Sequence, residues 1–245
     1  MIPRPLTAPV CAVTFDLDFT LWDLTGVLHH AEAVCQGLLE QRYPAVAERY
    51  DMAGLQALRA AIAEAQPQIR HDVTALRRAA LREAGAEAGY TGAALDALVD
   101  EAFEVFLEAR HAVRLYDDAV PLLRALQGRV RVGALTNGNA EVHRLGMDEY
   151  FDFALSAVEL GAAKPARLVF ETAANRAGVA PAQIVHVGDD VHSDVSGAAG
   201  YGMQAVWLNR EAVAWPDEVP PVPHHEVRSL AELQGMLLGL IGAQP

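Results

Sequence analysis

The feature that most limits the fold is an alternation of short apolar runs with helical stretches, interrupted once and at length. Strand-like runs stand at residues 12–15, 130–135, 153–156, 184–187 and 205–208. Helical spacing fills residues 118–127, 140–150, 166–177 and 194–201 between most of them. Such alternation predicts an α/β fold, a Rossmann-like parallel sheet covered on both faces. After the first strand the pattern changes to Ala, Leu, Glu and Arg at helical spacing, broken at Pro44, at Gln66 and Pro67, and from Gly85 to Gly92. About four helices are expected there. A βαβ crossover needs only ~10 to 12 residues. Residues 24–112 are therefore expected to form a helical-bundle domain inserted into a core made of residues 1–23 and 113–245, the alternative being a thicker helical layer on that core. The proline-rich stretch 215–225 is expected to wrap the surface, and 229–241 to form a last helix with Ser229 as its N-cap.

Composition narrows the setting. Hydrophobic residues make up 52% of the chain, yet none of its segments approaches the ~20 uninterrupted apolar residues of a membrane span. The first nine residues hold three prolines and lack the apolar centre of an export signal, so a soluble, cytoplasmic protein is expected. Cys11 and Cys35 have no metal-type spacing and read as reduced, partly buried thiols. The formal charge of −13 excludes a broad nucleic-acid surface, which needs clustered Lys and Arg. An anionic substrate would need local cations, since the overall field repels it.

In an open parallel sheet, ligands bind beyond the carboxyl ends of the strands. The first strand ends in Asp16-Leu17-Asp18-Phe19-Thr20 and the second in Thr136-Asn137-Gly138. A loop after the third carries Lys164-Pro165, and the fourth ends in Gly188-Asp189-Asp190 with Asp194 beyond. Singly, each has an ordinary structural use: the acids as caps and turn residues, Asn-Gly as a turn, Lys164 as a solvated side chain before a helix that opens with Pro165. Together they bring carboxylates, one hydroxyl and one ammonium to a single edge, which independent caps do not explain.

These segments resemble the signature motifs of the haloacid dehalogenase superfamily, with the helical insert in the position of its C1 cap. The resemblance implies phosphoryl chemistry on a small phosphorylated metabolite, with Mg²⁺ as cofactor. It makes Asp16 the nucleophile and Asp18 the general acid and base. Asp16, the main-chain carbonyl of Asp18, and Asp189 would be metal ligands, with Asp194 orienting the metal site; Asp190 competes with Asp189 for that place. Thr136 would donate to a phosphate oxygen, with Asn137 beside it as a substrate-binding candidate, and Lys164 would hold both that oxygen and the nucleophile. An ionised carboxylate needs no adjacent base to attack, but a phosphate dianion repels it unless a cation intervenes. Dehalogenases of the superfamily lack the second aspartate that this chain has at Asp18. Many relatives carry Gly or Asp where this chain has Phe19.

Leaving-group recognition is expected from the insert, where His71 and Asp72 lie at a helix break; Asp72 has an equal reading as the N-cap of the next helix. The stretches Pro67 to Thr74, Thr136 to Ala140 and His186 to Ala205 are similar to a bacterial phosphatase group associated with riboflavin metabolism. Its members act on flavin mononucleotide and on 5-amino-6-(5-phospho-D-ribitylamino)uracil; phosphoglycolate and sugar phosphates are the alternative substrates, and a 2-haloacid dehalogenase or a non-catalytic flavin-nucleotide-binding protein the remaining readings. The expected partners are a small phosphorylated substrate, with no nucleic acid and no membrane; monomer and homodimer both remain open.

Overall fold

The computed structural model describes residues 2–7 and 9–241. The chain divides into two compact units, one of Met1–Asp23 with Arg114–Pro245 and one of Leu24–Val113. Residues 1, 8 and 242–245, counted in the expected core segments, lie outside the described residues.

Nine strands are seen among the described residues: β1 (Ile2–Pro3), β2 (Ala12–Phe15), β3 (Trp22–Asp23), β4 (Arg114–Leu115), β5 (Arg131–Thr136), β6 (Phe153–Ser156), β7 (Ile184–Gly188), β8 (Gln204–Leu208) and β9 (Pro223–Val227). Seven of them form one sheet in the order β1-β9-β8-β7-β2-β5-β6, every pairing parallel. β3 and β4 make a short antiparallel ribbon. The chain lays β5 and β6 on one side of β2 and then β7, β8 and β9 on the other. Winding thus reverses at β2, where a parallel sheet leaves a crevice beyond its strand ends. This is the α/β, Rossmann-like architecture that the alternation predicted.

The other unit is helical: α1 (Val27–Arg42), α2 (Pro44–Ala47), α3 (Met52–Ala65), α4 (Val73–Glu87) and α5 (Gly92–Arg110). It has its own core, in which Leu39, Leu81, Leu98 and Phe106 are buried together. Gly85 is no break. It lies inside α4, where an added Cβ would come within 2.6 Å of Leu95 of α5, so the missing side chain lets the two helices approach closely. The chain turns instead at Gly89 and Gly92, both at positive φ.

In the first unit come α6 (Ala119–Leu126), α7 (Ala157–Leu160), α8 (Arg167–Ala177), α9 (Gly197–Tyr201) and α10 (Leu230–Leu237). Ala12, Leu135, Ile184 and Trp207 pack with Val169, Phe170 and Ala173 of α8 in one cluster. Strand alternation turns Val13, Phe15, Val132 and Ala134 to the opposite face, and α6 packs beside α10. The helix expected over 140–150 is absent. Its turns end where Met147 N closes on Val142 O across Gly146 at φ 64, and only a 3₁₀ turn follows at Asp148–Tyr150. The helix expected from residue 194 starts earlier, as a π-helix over Val191–Ser196 that leads into α9. The proline-rich tail is not all surface wrapping, for β9 pairs with β8, and Trp215 stacks on the buried His224. Ser229 caps α10 as expected, accepting from Glu232 N at 3.1 Å. No helix among the described residues is long and apolar enough to cross a membrane.

The tail is fastened to the core by Asp118, whose carboxylate takes both Arg210 Nη2 at 2.9 Å and Arg210 Nη1 at 3.2 Å, and also Leu230 N at 2.8 Å. Replacing it strands a guanidinium and an N–H at the start of α10. Asp118→Ala should cost about 1–3 kcal/mol, read as a lower urea midpoint at unchanged slope.

Candidate active site

β2 lies between β5 and β7, so its carboxyl end is central, and the ladder runs on to Asp16, whose N–H donates to Val187 O at 2.8 Å. The chain then leaves the sheet in a tight turn. Leu17 O accepts from Thr20 N at 3.2 Å and from Leu21 N at 2.9 Å. Trp22, fully buried, donates its indole N–H to Asp18 Oδ1 at 2.7 Å, and Thr20 Oγ1 donates to Asp189 Oδ1 at 3.3 Å. At the tip Phe19 has φ 58, a left-handed conformation that costs a bulky L residue on the order of 1–2 kcal/mol.

Lys164 is the hub. Its side chain is 1% exposed, and its Nζ donates to Asp16 Oδ1 at 2.6 Å, to Asp194 Oδ1 at 2.6 Å and to Leu135 O at 2.7 Å. Its three protons therefore meet three acceptors. The backbone behind it is clamped by Asn137, which donates Nδ2 to Lys164 O at 2.9 Å and accepts Lys164 N on Oδ1 at 2.7 Å. Asn137 thus braces the lysine. Thr136 is buried at the end of β5, and its hydroxyl oxygen accepts from Gly138 N at 3.0 Å, which leaves the O–H proton for another acceptor.

β7 brings the remaining acids. Asp16, Asp189 and Asp194 each offer a carboxylate oxygen, all within 4.8 Å of one another. Asp190 is turned to another task, since its carboxylate accepts from Ser193 N at 2.6 Å and caps the π-helix. The wide turn of that helix, in which Val195 N reaches Asp190 O, carries Asp194. Expanded turns of this kind recur at functional sites. His71 and Asp72 stand in the helical unit before α4, where Asp72 accepts from Ala75 N at 2.7 Å as an N-cap.

Two buried polar residues that motif reading passes over complete the array. His186 Nε2 lies 3.2 Å from Asp194 Oδ1, and its Nδ1 lies 2.9 Å from Thr14 Oγ1. A histidine in the otherwise apolar run Ile184–Gly188, in register with Thr14 of β2, is the signal that could have found them. Burial pushes the imidazole below its ordinary value, although the bond to Asp194 opposes this. Burial also raises Asp16 well above the usual carboxylate range, with Asp194 and Asp189 adding to it and Lys164 opposing. Asp189 is pushed up to about 7, by burial first and then by the charge of Asp194. Asp194 goes the other way. Burial would raise it, but the Lys164 charge and the His186 hydrogen bond hold it at about 2. Lys164 itself is raised, its two carboxylate partners outweighing burial.

The family model for haloacid dehalogenase-like hydrolases matches residues 12–202. The chain belongs to that family. It is 34% identical to the 5-amino-6-(5-phospho-D-ribitylamino)uracil phosphatase YigB of Escherichia coli K12 over 238 residues, 96% of this chain and 98% of the relative. It is 31% identical to the human N-acylneuraminate-9-phosphatase over 235 residues, 93% and 94% of the two chains. A crystal structure of a 2-haloacid dehalogenase from Pseudomonas syringae pv. tomato DC3000 superposes with a TM-score of 0.87 at 38% identity, covering 94% of this chain and 99% of that one. The chain is an enzyme of this family, a phosphoric monoester hydrolase of the phosphatase type.

Two outcomes follow from the packing and the charges of this hydrolase. A Cβ on Gly188 would lie 2.3 Å from the Asp194 carboxyl carbon, a group that Lys164 and His186 hold in place. Gly188→Ala should therefore displace Asp194 and lower kcat at least ~100-fold while the far-ultraviolet circular dichroism stays native. A carboxyl raised on folding stabilises the folded chain fully below its unfolded value, 3.8 for Asp189, and that contribution is lost as pH rises to about 7. Asp194 contributes in the opposite sense, above 3.8, with loss as pH falls to about 2. Without added divalent cation, the Asp189 contribution should lower unfolding midpoints between about pH 4 and pH 7, and Asp189→Asn should flatten that slope.

Proposed function

We propose that the enzyme is a Mg²⁺-dependent phosphomonoesterase working through an aspartyl-phosphate on Asp16, with flavin mononucleotide or 5-amino-6-(5-phospho-D-ribitylamino)uracil as substrate. The observation that carries this reading is the excess of carboxylate over cation in one buried cluster, three acids against one lysine. The donors are all oxygens, which suits a hard divalent cation, and the raised Asp16 and Asp189 mark an array short of positive charge. Asp16 and Asp189 would hold Mg²⁺ together with the Asp18 main-chain carbonyl, Asp194 orienting them. Bound there, the ion would offset the charge of the phosphate ester and of the attacking oxygen.

The chain's own groups supply the steps. An Asp16 oxygen attacks phosphorus in line, and the bond to the leaving oxygen breaks as Asp18 gives that oxygen a proton. Asp18 then takes a proton from water, whose oxygen attacks the aspartyl-phosphate, frees Asp16 and yields inorganic phosphate. The Trp22 indole holds the Asp18 carboxyl for both transfers. Thr136 donates to a phosphate oxygen, and Lys164 spreads charge between that group and Asp16. The helical unit takes the part of the family's C1 cap.

The full-length likeness to YigB supports the choice of substrate. The likeness to a dehalogenase structure suggests the alternative in which Asp16 attacks carbon, but that chemistry has no use for Asp18 or for an acidic cluster. A screen of phosphate monoesters with and without Mg²⁺, ranked by kcat/KM, decides the matter. EDTA should abolish turnover, Asp16→Asn should lower kcat at least ~1,000-fold with the fold kept, and Asp18→Asn should slow both half-reactions. Activity on 2-chloropropionate that survives EDTA, with none on phosphate esters, would overturn the reading.

A further inference from the structure

We propose that Phe19 determines specificity, its ring serving as a stacking face for a planar aromatic leaving group. The inference rests on the phosphomonoesterase reading and names the chemical class that this enzyme prefers.

Phe19 sits between Asp18 and Thr20, whose hydroxyl donates to Asp189, so its backbone belongs to the turn that carries the reacting groups. It is 42% exposed. No described residue stacks on it. The turn that carries it is built without the ring, by the bonds to Leu17 O, the Trp22 bond to Asp18 and the Thr20 bond to Asp189. Folding alone selects against phenylalanine here on two counts. The backbone is left-handed, which Gly, Asn or Asp adopts far more readily. The apolar face also stays in water. Strain of this kind, held by its surroundings, collects where a residue has work to do with a ligand.

A bound planar ring removes the cost of exposure, covering the Phe19 face while gaining stacking energy. Reach sets the shape of the ligand. Three peptide units separate Asp16 from Phe19, so their Cα atoms are at most ~11 Å apart. A ring joined to the phosphorus by a short carbon chain spans such a distance. A bare sugar phosphate fits the reacting groups and leaves the ring in water.

The test compares kcat/KM for flavin mononucleotide with that for ribose 5-phosphate, which has a sugar chain and no ring. In Phe19→Leu the ratio of the two should fall about 3- to 10-fold, and Phe19→Tyr should restore it. Riboflavin fluorescence anisotropy, titrated with enzyme in Mg²⁺, gives a readout free of turnover: tighter binding is expected with the wild type and Phe19→Tyr than with Phe19→Leu. Phe19→Asn, which suits the left-handed backbone, should melt at or above the wild-type temperature with the same loss of discrimination. An unchanged ratio, equal riboflavin affinity in Phe19→Leu, or a lower melting temperature in Phe19→Asn would overturn the proposal and leave the phosphatase reading standing. If the wild type releases phosphate from no monoester, that reading fails instead, and the riboflavin titration alone decides whether the ring is a stacking face.

Discussion

The site depends on one ammonium group taken out of water. A buried lysine must have each of its protons accepted, because the desolvation of its charge is otherwise uncompensated. Lys164 meets that demand with Asp16 at the end of β2, Leu135 O in β5 and Asp194 in the π-helix after β7. Three segments distant in the chain are thereby brought to one atom. Asn137 holds the lysine backbone at both its N–H and its carbonyl, so the ammonium is delivered from a fixed base.

From that contact the remaining charges sort themselves. Asp194 has the lysine and His186, so it stays ionised, while Asp189, raised by burial and by the charge of Asp194, retains a proton toward neutral pH. Two chemically identical side chains five positions apart thus differ widely in proton affinity. The difference comes from what faces each one and owes nothing to residue type. It leaves the cluster rich in oxygen donors and short of positive charge, as a divalent-ion site requires.

Much of the fold was legible because strand and helix periods are local properties. The sheet strands 12–15 and 153–156 fall where the apolar runs lie, and the insert after the first strand is built of helices joined by short turns. Misreadings cluster where a local pattern is overruled. Gly85 looks like a breaker until α5 is seen packed on it, and the prolines of the tail hide a strand that pairs once β8 is beside it. Residues 140–147 have helical spacing, but Gly146 turns the chain out of it. At the site, the polar residues at the strand ends were all visible. Thr14 and His186 were not, because a polar residue inside a strand has meaning only when its neighbour across the sheet is known.

The sequence by itself determined which functional groups stand at the end of which strand, since chain order and alternation decide that much without any contact. Only the tertiary structure decided their pairings. Lys164 meets Asp16 across 148 residues, and Asp189 gathers with Asp16 and Asp194 while the Asp190 carboxylate is taken up by Ser193. Periodicity says which way a side chain leaves its own strand. Distances between strands follow from their order and register in the sheet, which no single segment contains.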